Sequence, residues 1–285
     1  MYKTILVAID DSEFSKAAVI ESANRVKKHG GKIILLNVVY FDEEEFSNAP
    51  GQLDRRAEHG KEICGKAQEL LRSEFGIEAE AVVREGDPPV LITTIAAERE
   101  ADMIAIGTYG RKGLKRLIMG SVASNVISDS PCDVLVVKKA CTECTGAYSS
   151  ILMPFDASLS SRKALIRACQ LSKADNADIT VLYVIPRYEE MIGFFKTESI
   201  KDSLFNEAGK ILAAAKEIAA SQGVGIATII EEGNAADKIV KISAELGVDL
   251  IVTGTYGWRG VDKAIMGSTT ERVLMNASIP VLAVR

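Results

Sequence analysis

The amino-acid sequence predicts an α/β chain of two tandem domains, each a doubly wound, mostly parallel sheet with helices on both faces. Three observations predict it. The chain repeats itself: TILVAID at 4–10 returns as SILMPFD at 150–156, and GTYGRKGLKRLIMGS at 107–121 returns as GTYGWRGVDKAIMGS at 254–268. The spacing is kept, because Asp10 maps to Asp156 at an offset of 146, and Gly107, Gly110 and Gly120 map to Gly254, Gly257 and Gly267 at an offset of 147. Within each copy, short apolar runs alternate with segments of helical period, and 285 residues suffice for two cores of ordinary size. The copies are expected at 1–140 and 150–285, with the small, polar stretch 141–149 as linker.

In the first copy, Ile5–Ile9 is a continuous apolar run, as expected of a strand covered on both faces. Ser12 stands where a helix cap belongs, and Phe14, Ala17, Ala18, Ala23 and Val26 recur at helical spacing up to Gly30-Gly31. Ile33–Val39 reads as a second strand, 52–75 as a second helix and Glu78–Val83 as a third strand. A helix from Pro88 to Glu100 follows, with proline in its first turn. Asp102–Ile106 is a buried strand, 120–130 a helix and Val134–Val137 a last strand. The second copy runs the same course from Ile151 to Arg285. Phe41–Gly51 is acidic and reads as an exposed connection; Pro186–Phe205 carries Met191, Ile192, Phe194 and Phe195 among charges, either as a lid on its own domain or as a subunit contact.

Composition narrows the function. A net charge of −5 argues against nucleic acid as the main partner, since phosphate backbones reward a basic face. No run approaches the apolar length of a membrane span, and Met1–Val7 leads straight into a strand with no signal peptide, so the expected location is the cytosol. Five cysteines at 64, 132, 141, 144 and 169 form no disulfide framework. Cys141 and Cys144 make one C-x2-C in the linker, two ligands short of a structural zinc site. His29 and His59 occur in the first copy alone, away from the glycine loop in sequence, and read as surface residues.

The candidate site follows from the topology. In an open parallel sheet, ligands sit beyond the carboxyl ends of the strands where the winding reverses. Asp10 ends the first strand and Gly107 the fourth; Asp156 and Gly254 repeat the pair. The loop pattern is G-x2-G-x9-G-S, and its last two residues, Gly120-Ser121 and Gly267-Ser268, open a helix. Free N–H groups and the positive end of the helix dipole attract anions there. Arg111, Lys112, Lys115 and Arg116 add positive charge in the first loop; the second keeps Arg259 and Lys263 but interleaves Trp258, Val261 and Asp262. Neither loop is a Walker P-loop or a dinucleotide-binding G-x-G-x2-G. Two readings of the glycines stay open: close approach of a phosphate, or a tight turn with a helix cap. For Asp10 and Asp156 they are a contact to ribose or a divalent ion, or a helix cap.

At these residues the chain resembles a tandem universal stress protein. The features that carry the resemblance are V-A-I-D-D-S at 7–12, the two long glycine loops, E-G-D-P at 85–88 with its echo E-G-N at 232–234, and the strands after a proline at 131–137 and 279–284. It implies a five-stranded parallel sheet of order 3-2-1-4-5 in each domain. It also implies binding of adenine nucleotide (ATP, or ADP and AMP), with Mg2+ as a companion ion. Asp10 and Asp156 are then placed near ribose and adenine, and main chain at Val38 and Val184 against adenine. Gly107, Gly110, Gly120, Ser121 and Val122 are placed at ribose and phosphates, as are Gly254, Gly257, Gly267, Ser268 and Thr269. Ala8 and Pro154, at the ends of their first strands, complete the implied binding set. Thr269 departs from the valine of the first copy. The resemblance further implies that the halves pair as a pseudo-dimer, that the chain forms a homodimer, and that its role is regulatory in the stress response. A slow ATP hydrolase or phosphotransferase, and a nucleotide-free dimerisation scaffold, are the competing functions.

Overall fold

The computed structural model describes residues 2–40, 51–108, 120–140, 145–186, 198–255 and 266–285. The chain divides into two compact units, Met1–Ala147 and Tyr148–Val284. In the first, the described elements run β1 (Thr4–Ala8), α1 (Glu13–His29), β2 (Lys32–Val39), α2 (Gly51–Leu70), β3 (Ala79–Glu85), α3 (Pro88–Glu98), β4 (Met103–Gly107), α4 (Ser121–Asp129) and β5 (Asp133–Val137). The strands lie in the order β3-β2-β1-β4-β5 and every pair is parallel. The second unit runs β6 (Ser150–Pro154), α5 (Leu159–Asp175), β7 (Asp178–Ile185), α6 (Glu198–Ser221), β8 (Ala227–Glu232), α7 (Ala235–Glu245), β9 (Leu250–Gly254), α8 (Ser268–Asn276) and β10 (Val281–Val284). Its order is β8-β7-β6-β9-β10, again parallel, so each unit has the order 3-2-1-4-5 in its own count.

The central strands have no solvent face, which is why they read as unbroken apolar runs. All five residues of β1 and of β9 are buried. Helices cover both faces: α1 packs near the end of α2 and α3 against α4, with α5 on α6 and α7 on α8 in the second unit. One aspartate fastens the amino-terminal edge of each sheet. Asp102, just before β4, accepts from the N–H groups of Lys3 (2.7 Å) and Thr4 (2.9 Å) at the start of β1. Asp249 repeats this toward Ser149 (2.8 Å) and Ser150 (3.1 Å).

Element ends differ from the sequence expectation by one or two residues, with one larger exception. The second helix was expected over 52–75, but α2 ends at Leu70 and residues Leu71–Phe75 form a π-helical turn. The internal repeat explains it. After the turn Ile77 N–H bonds the Leu71 carbonyl, and in the second unit Val224 N–H bonds Ala219. Leu71 and Ala219 are therefore equivalent, as are Gly76 and Gly223, both with positive φ (67° and 68°). Five steps separate the first pair and four the second, so the π turn absorbs one extra residue. The stretches 41–50 and 187–197, and with them the acidic connection, Met191, Ile192, Phe194 and Phe195, lie outside the described residues, as do Cys141 and Cys144.

The aspartate clasp gives a first test. Asp102→Ala strips a charged acceptor from two backbone donors and is expected to cost about 1–2 kcal/mol. Urea unfolding of the full chain should show a lower midpoint at unchanged slope.

Candidate functional site

The winding of each sheet reverses at its central strand. β1 has β2 on one side and β4 on the other, and β6 stands likewise between β7 and β9. The crevice at the carboxyl ends of β1 and β4 is therefore where Asp10 and the glycine loop begin, and the second unit repeats it with Asp156 and Gly254. The loops return to where they left. Gly120 N–H bonds the Thr108 carbonyl at 3.2 Å, and Gly267 N–H bonds Thr255 at 3.0 Å.

Helix starts near this edge whose capping residue is described fall into two kinds. Ser12 and Ser158 cap α1 and α5, accepting from Ser15 and Ser161 N–H (each 3.2 Å), and Asn234 caps α7 through Asp237 N–H. α3 opens with Pro88-Pro89, which carry no N–H at all. By contrast α4 and α8 have glycine, Gly120 and Gly267, at the cap, which brings no side chain to the first-turn donors. Ser121 and Ser268 are exposed there, and Val122 is half-buried while Thr269 is exposed. Among the helix starts whose capping residue is described, the open donors are thus at the switch point, once per unit.

The glycines have separable reasons. Gly120 and Gly267 have φ of −58° and −63°, so positive φ does not require them; freedom from a side chain is what they contribute. Gly107 and Gly254 are held by packing. A Cβ on Gly107 would lie 2.7 Å from Phe14 Cβ and 2.8 Å from the Phe14 carbonyl carbon, in the first turn of α1. One on Gly254 would meet the Ser160 hydroxyl and stand 2.8 Å from the Ser160 carbonyl carbon. Gly110 and Gly257 lie outside the described residues, as do Arg111, Lys112, Lys115, Arg116, Trp258, Arg259, Val261, Asp262 and Lys263.

Both aspartates are half-buried and neither is the cap. Asp10 Oδ1 accepts from Ser12 N–H (3.1 Å) and from its hydroxyl, orienting the serine that does cap the helix. Asp156 Oδ1 accepts from Ser158 N–H at 3.0 Å. One oxygen of each carboxylate is committed to its turn. Ala8 and Pro154 end β1 and β6, opposite Leu36 and Leu182, and Val38 and Val184 are half-buried near the ends of β2 and β7. Among the described residues no group of three His, Cys, Asp or Glu side chains is placed to hold a metal. Burial pushes the Cys64 and Cys132 thiols up to about 11.

Sequence reasoning missed three features. Thr108 is fully buried, and its hydroxyl has no hydrogen-bond partner among the described residues. The threonine after the glycine in both GTYG strings was the available signal. Ala157, next to Asp156, adopts φ of 63°, which no pattern in the sequence announces. His59 is not remote from the site: its Nε2 lies 3.8 Å from Asp11 Oδ2, in the turn that carries Asp10. Contact across the fold, not sequence spacing, creates that pair.

Two copies of a doubly wound α/β domain, each with an open helix start at its switch point, define a class of tandem single-fold proteins. The sequence profile of the universal stress protein family matches residues 1–138 and again 147–285, and the chain belongs to that family. A universal stress protein of Methanocaldococcus jannaschii is 32% identical over 145 residues, covering 49% of this chain and 84% of that protein. YxiE of Bacillus subtilis is 33% identical over 147 residues, 48% of this chain and 99% of its own length. The crystal structure of a universal stress protein from Archaeoglobus fulgidus shares the fold with a TM-score of 0.75, at 23% identity over 99% of this chain and 96% of that one. No described helix is long and apolar enough to cross a membrane.

Two substitutions test the geometry. Gly107→Ala forces β4 and α1 apart and is expected to destabilise by about 1–3 kcal/mol. Ala157→Gly relieves a left-handed alanine and is expected to stabilise by about 0.5–1 kcal/mol, after the entropy that glycine adds to the unfolded chain. Chemical denaturation of both variants reads the two signs.

Proposed function

We propose that each unit binds an adenine nucleotide, ATP or its di- or monophosphate, at the carboxyl edge of its sheet, and that the bound nucleotide serves a regulatory role in the stress response. The observation that carries the proposal is the pair of glycine-capped helix starts, α4 and α8, at the two switch points. The other starts at these edges whose capping residue is described are capped by a side chain or built from proline. First-turn N–H groups and the Ser121 or Ser268 hydroxyl would take the phosphates. Asp10 and Asp156, oriented by the turn through one oxygen, would lie beside the ribose. Main chain at Val38 and Val184 would meet the base, with Ala8 and Pro154 flooring the crevice. Adenine, as distinct from any phosphorylated ligand, rests on the family resemblance. Mg2+, with no cage of three ligands among the described residues, would be held mainly by the phosphates and water. The same proposal takes the protein to be cytoplasmic and homodimeric.

The decisive experiment identifies by mass the small molecule that copurifies with the full chain and compares a Gly120→Asp, Gly267→Asp double variant. A carboxylate at the cap faces the phosphate, so nucleotide retention should fall at least tenfold, about 1.4 kcal/mol. Unchanged retention would show that the helix starts do not hold the ligand. Incubation with Mg2+ then separates binding from hydrolysis.

A further inference from the structure

The two units hold the same turn in different ways. In the first, the β1–α1 turn (Asp10-Asp11-Ser12) meets α2 through His59. The imidazole lies between two carboxylates, with Nε2 3.8 Å from Asp11 Oδ2 and Nδ1 3.6 Å from Glu62 Oε2. α2 reaches this point because Gly60 lets it come close: a Cβ there would lie 2.5 Å from Asn37 Oδ1 and 3.1 Å from Val83 Cγ1. Asn37 in turn donates to the Ile9 carbonyl (2.8 Å), tying the same place to the end of β1. In the second unit none of this is kept. Counting back twelve residues from the equivalent Leu71 and Ala219 puts Glu207 where His59 stands, and Ala157 replaces Asp11. There the turn is held from its own helix instead, by Arg162 Nε donating to the Ala157 carbonyl at 3.0 Å. The first-unit equivalent of Arg162 is Lys16, which is exposed.

We propose that His59 is a positioning residue that straps the β1–α1 turn of the first unit, so that protonation tunes nucleotide binding at that site and leaves the second site untuned. The inference rests on the nucleotide reading above. Imidazole changes charge between pH 5 and 8, whereas guanidinium stays charged throughout. Protonated, His59 attracts Asp11 and Glu62 and offsets two negative charges beside a polyanionic ligand; neutral, it does neither. Binding at the first site is therefore tighter at low pH and weakens as pH rises. The carboxylates around His59 set that sign, and Arg55 and Arg56, four and three residues back on α2, work against it. Asp11, with Asp10 next to it, faces from the turn and Glu62 from its own helix, while β2 and β3 present the uncharged Asn37 and Val83 at Gly60. Arg56, one turn back on α2, donates to the Tyr40 carbonyl. The pair is partly exposed, with His59 at 40% and Asp11 at 58%, so the effect is modest, about two- to fivefold in affinity.

The test uses full-length chains with one site blocked, Gly267→Asp to isolate the first and Gly120→Asp to isolate the second. Calorimetric titration with ATP runs from pH 5.5 to 7.5, because burial pulls Lys138, next after β5, down to about 8. The second site corrects for protonation of ATP itself, whose phosphate titrates near pH 6. Relative to the second, the first site should lose about two- to fivefold in affinity over that range. His59→Gln should flatten the difference, while Arg162→Gln should leave the second site's pH profile parallel to its parent. The chain has two histidines, so imidazole NMR resolves them, with His29→Gln for assignment. ATP should raise the His59 titration midpoint and not that of His29. ATP binding with parallel pH profiles at the two sites, or a His59 midpoint that ATP does not move, overturns this inference and leaves the nucleotide reading standing. Absence of ATP binding at both sites overturns both.

Discussion

The structure depends on how the first turn of each helix at the carboxyl edge finds partners for its N–H groups. A parallel sheet points every following helix start at that same edge, so the edge gathers donors. Where a serine, an asparagine or a proline occupies the start, the donors are satisfied or missing. Where glycine occupies it, they stay open, at a cost of only a few tenths of a kcal/mol relative to a serine cap, because water reaches them. Ser121 and Ser268, the first residues of these two helices, are both exposed. An open start is therefore inexpensive to keep and ready for an anion. That it recurs where the winding reverses, in both units, is what makes a local feature a candidate site.

The long glycine motif is accordingly not one device. Its first glycine belongs to packing, since Gly107 and Gly254 let β4 and β9 end against the opening turns of α1 and α5. Its last glycine belongs to the helix start. The link between them is mechanical: the packing glycine sets how near α1, and hence the Asp10 turn, lies to the strand from which the loop departs. The Thr108–Gly120 and Thr255–Gly267 bonds then bring the loop back beside the same strand. Carboxylate and open helix start are thereby held to one crevice by the sheet, with no direct bond between them needed.

Much of this was legible in sequence because duplication and periodicity are properties of the backbone pattern. Unbroken apolar runs located β1 and β4, and proline and serine located the starts of α3 and α1. The strand order came from the family resemblance, and the structure has it in both units. What was illegible depended on geometry that spacing does not encode. Ala157 has φ of 63° although alanine gives no hint of it. The π turn at Leu71–Phe75 appears only when the two copies are laid against each other and one residue is found in excess. His59 looked remote because 48 residues separate it from Asp11 in the chain, yet β1 and β2 are neighbours and α2 packs on β2, which closes the gap.

Duplication also explains why the two sites differ where they do. Positions fixed by the sheet have little room to change: Gly107 and Gly254 are both packed against a helix, and Asp10 and Asp156 both accept from the serine two residues on. The residue between, Asp11 or Ala157, is fixed by neither constraint and has changed. With it changed the neighbours that hold the turn, His59 from α2 in one unit and Arg162 from α5 in the other. The turn needs some anchor, because a carboxylate on a loop loses orientation as the loop gains freedom. The fold does not prescribe from which side that anchor comes. A titratable anchor and a permanent one thus hold the same turn by different chemistry: the charge of the imidazole depends on pH and that of the guanidinium does not.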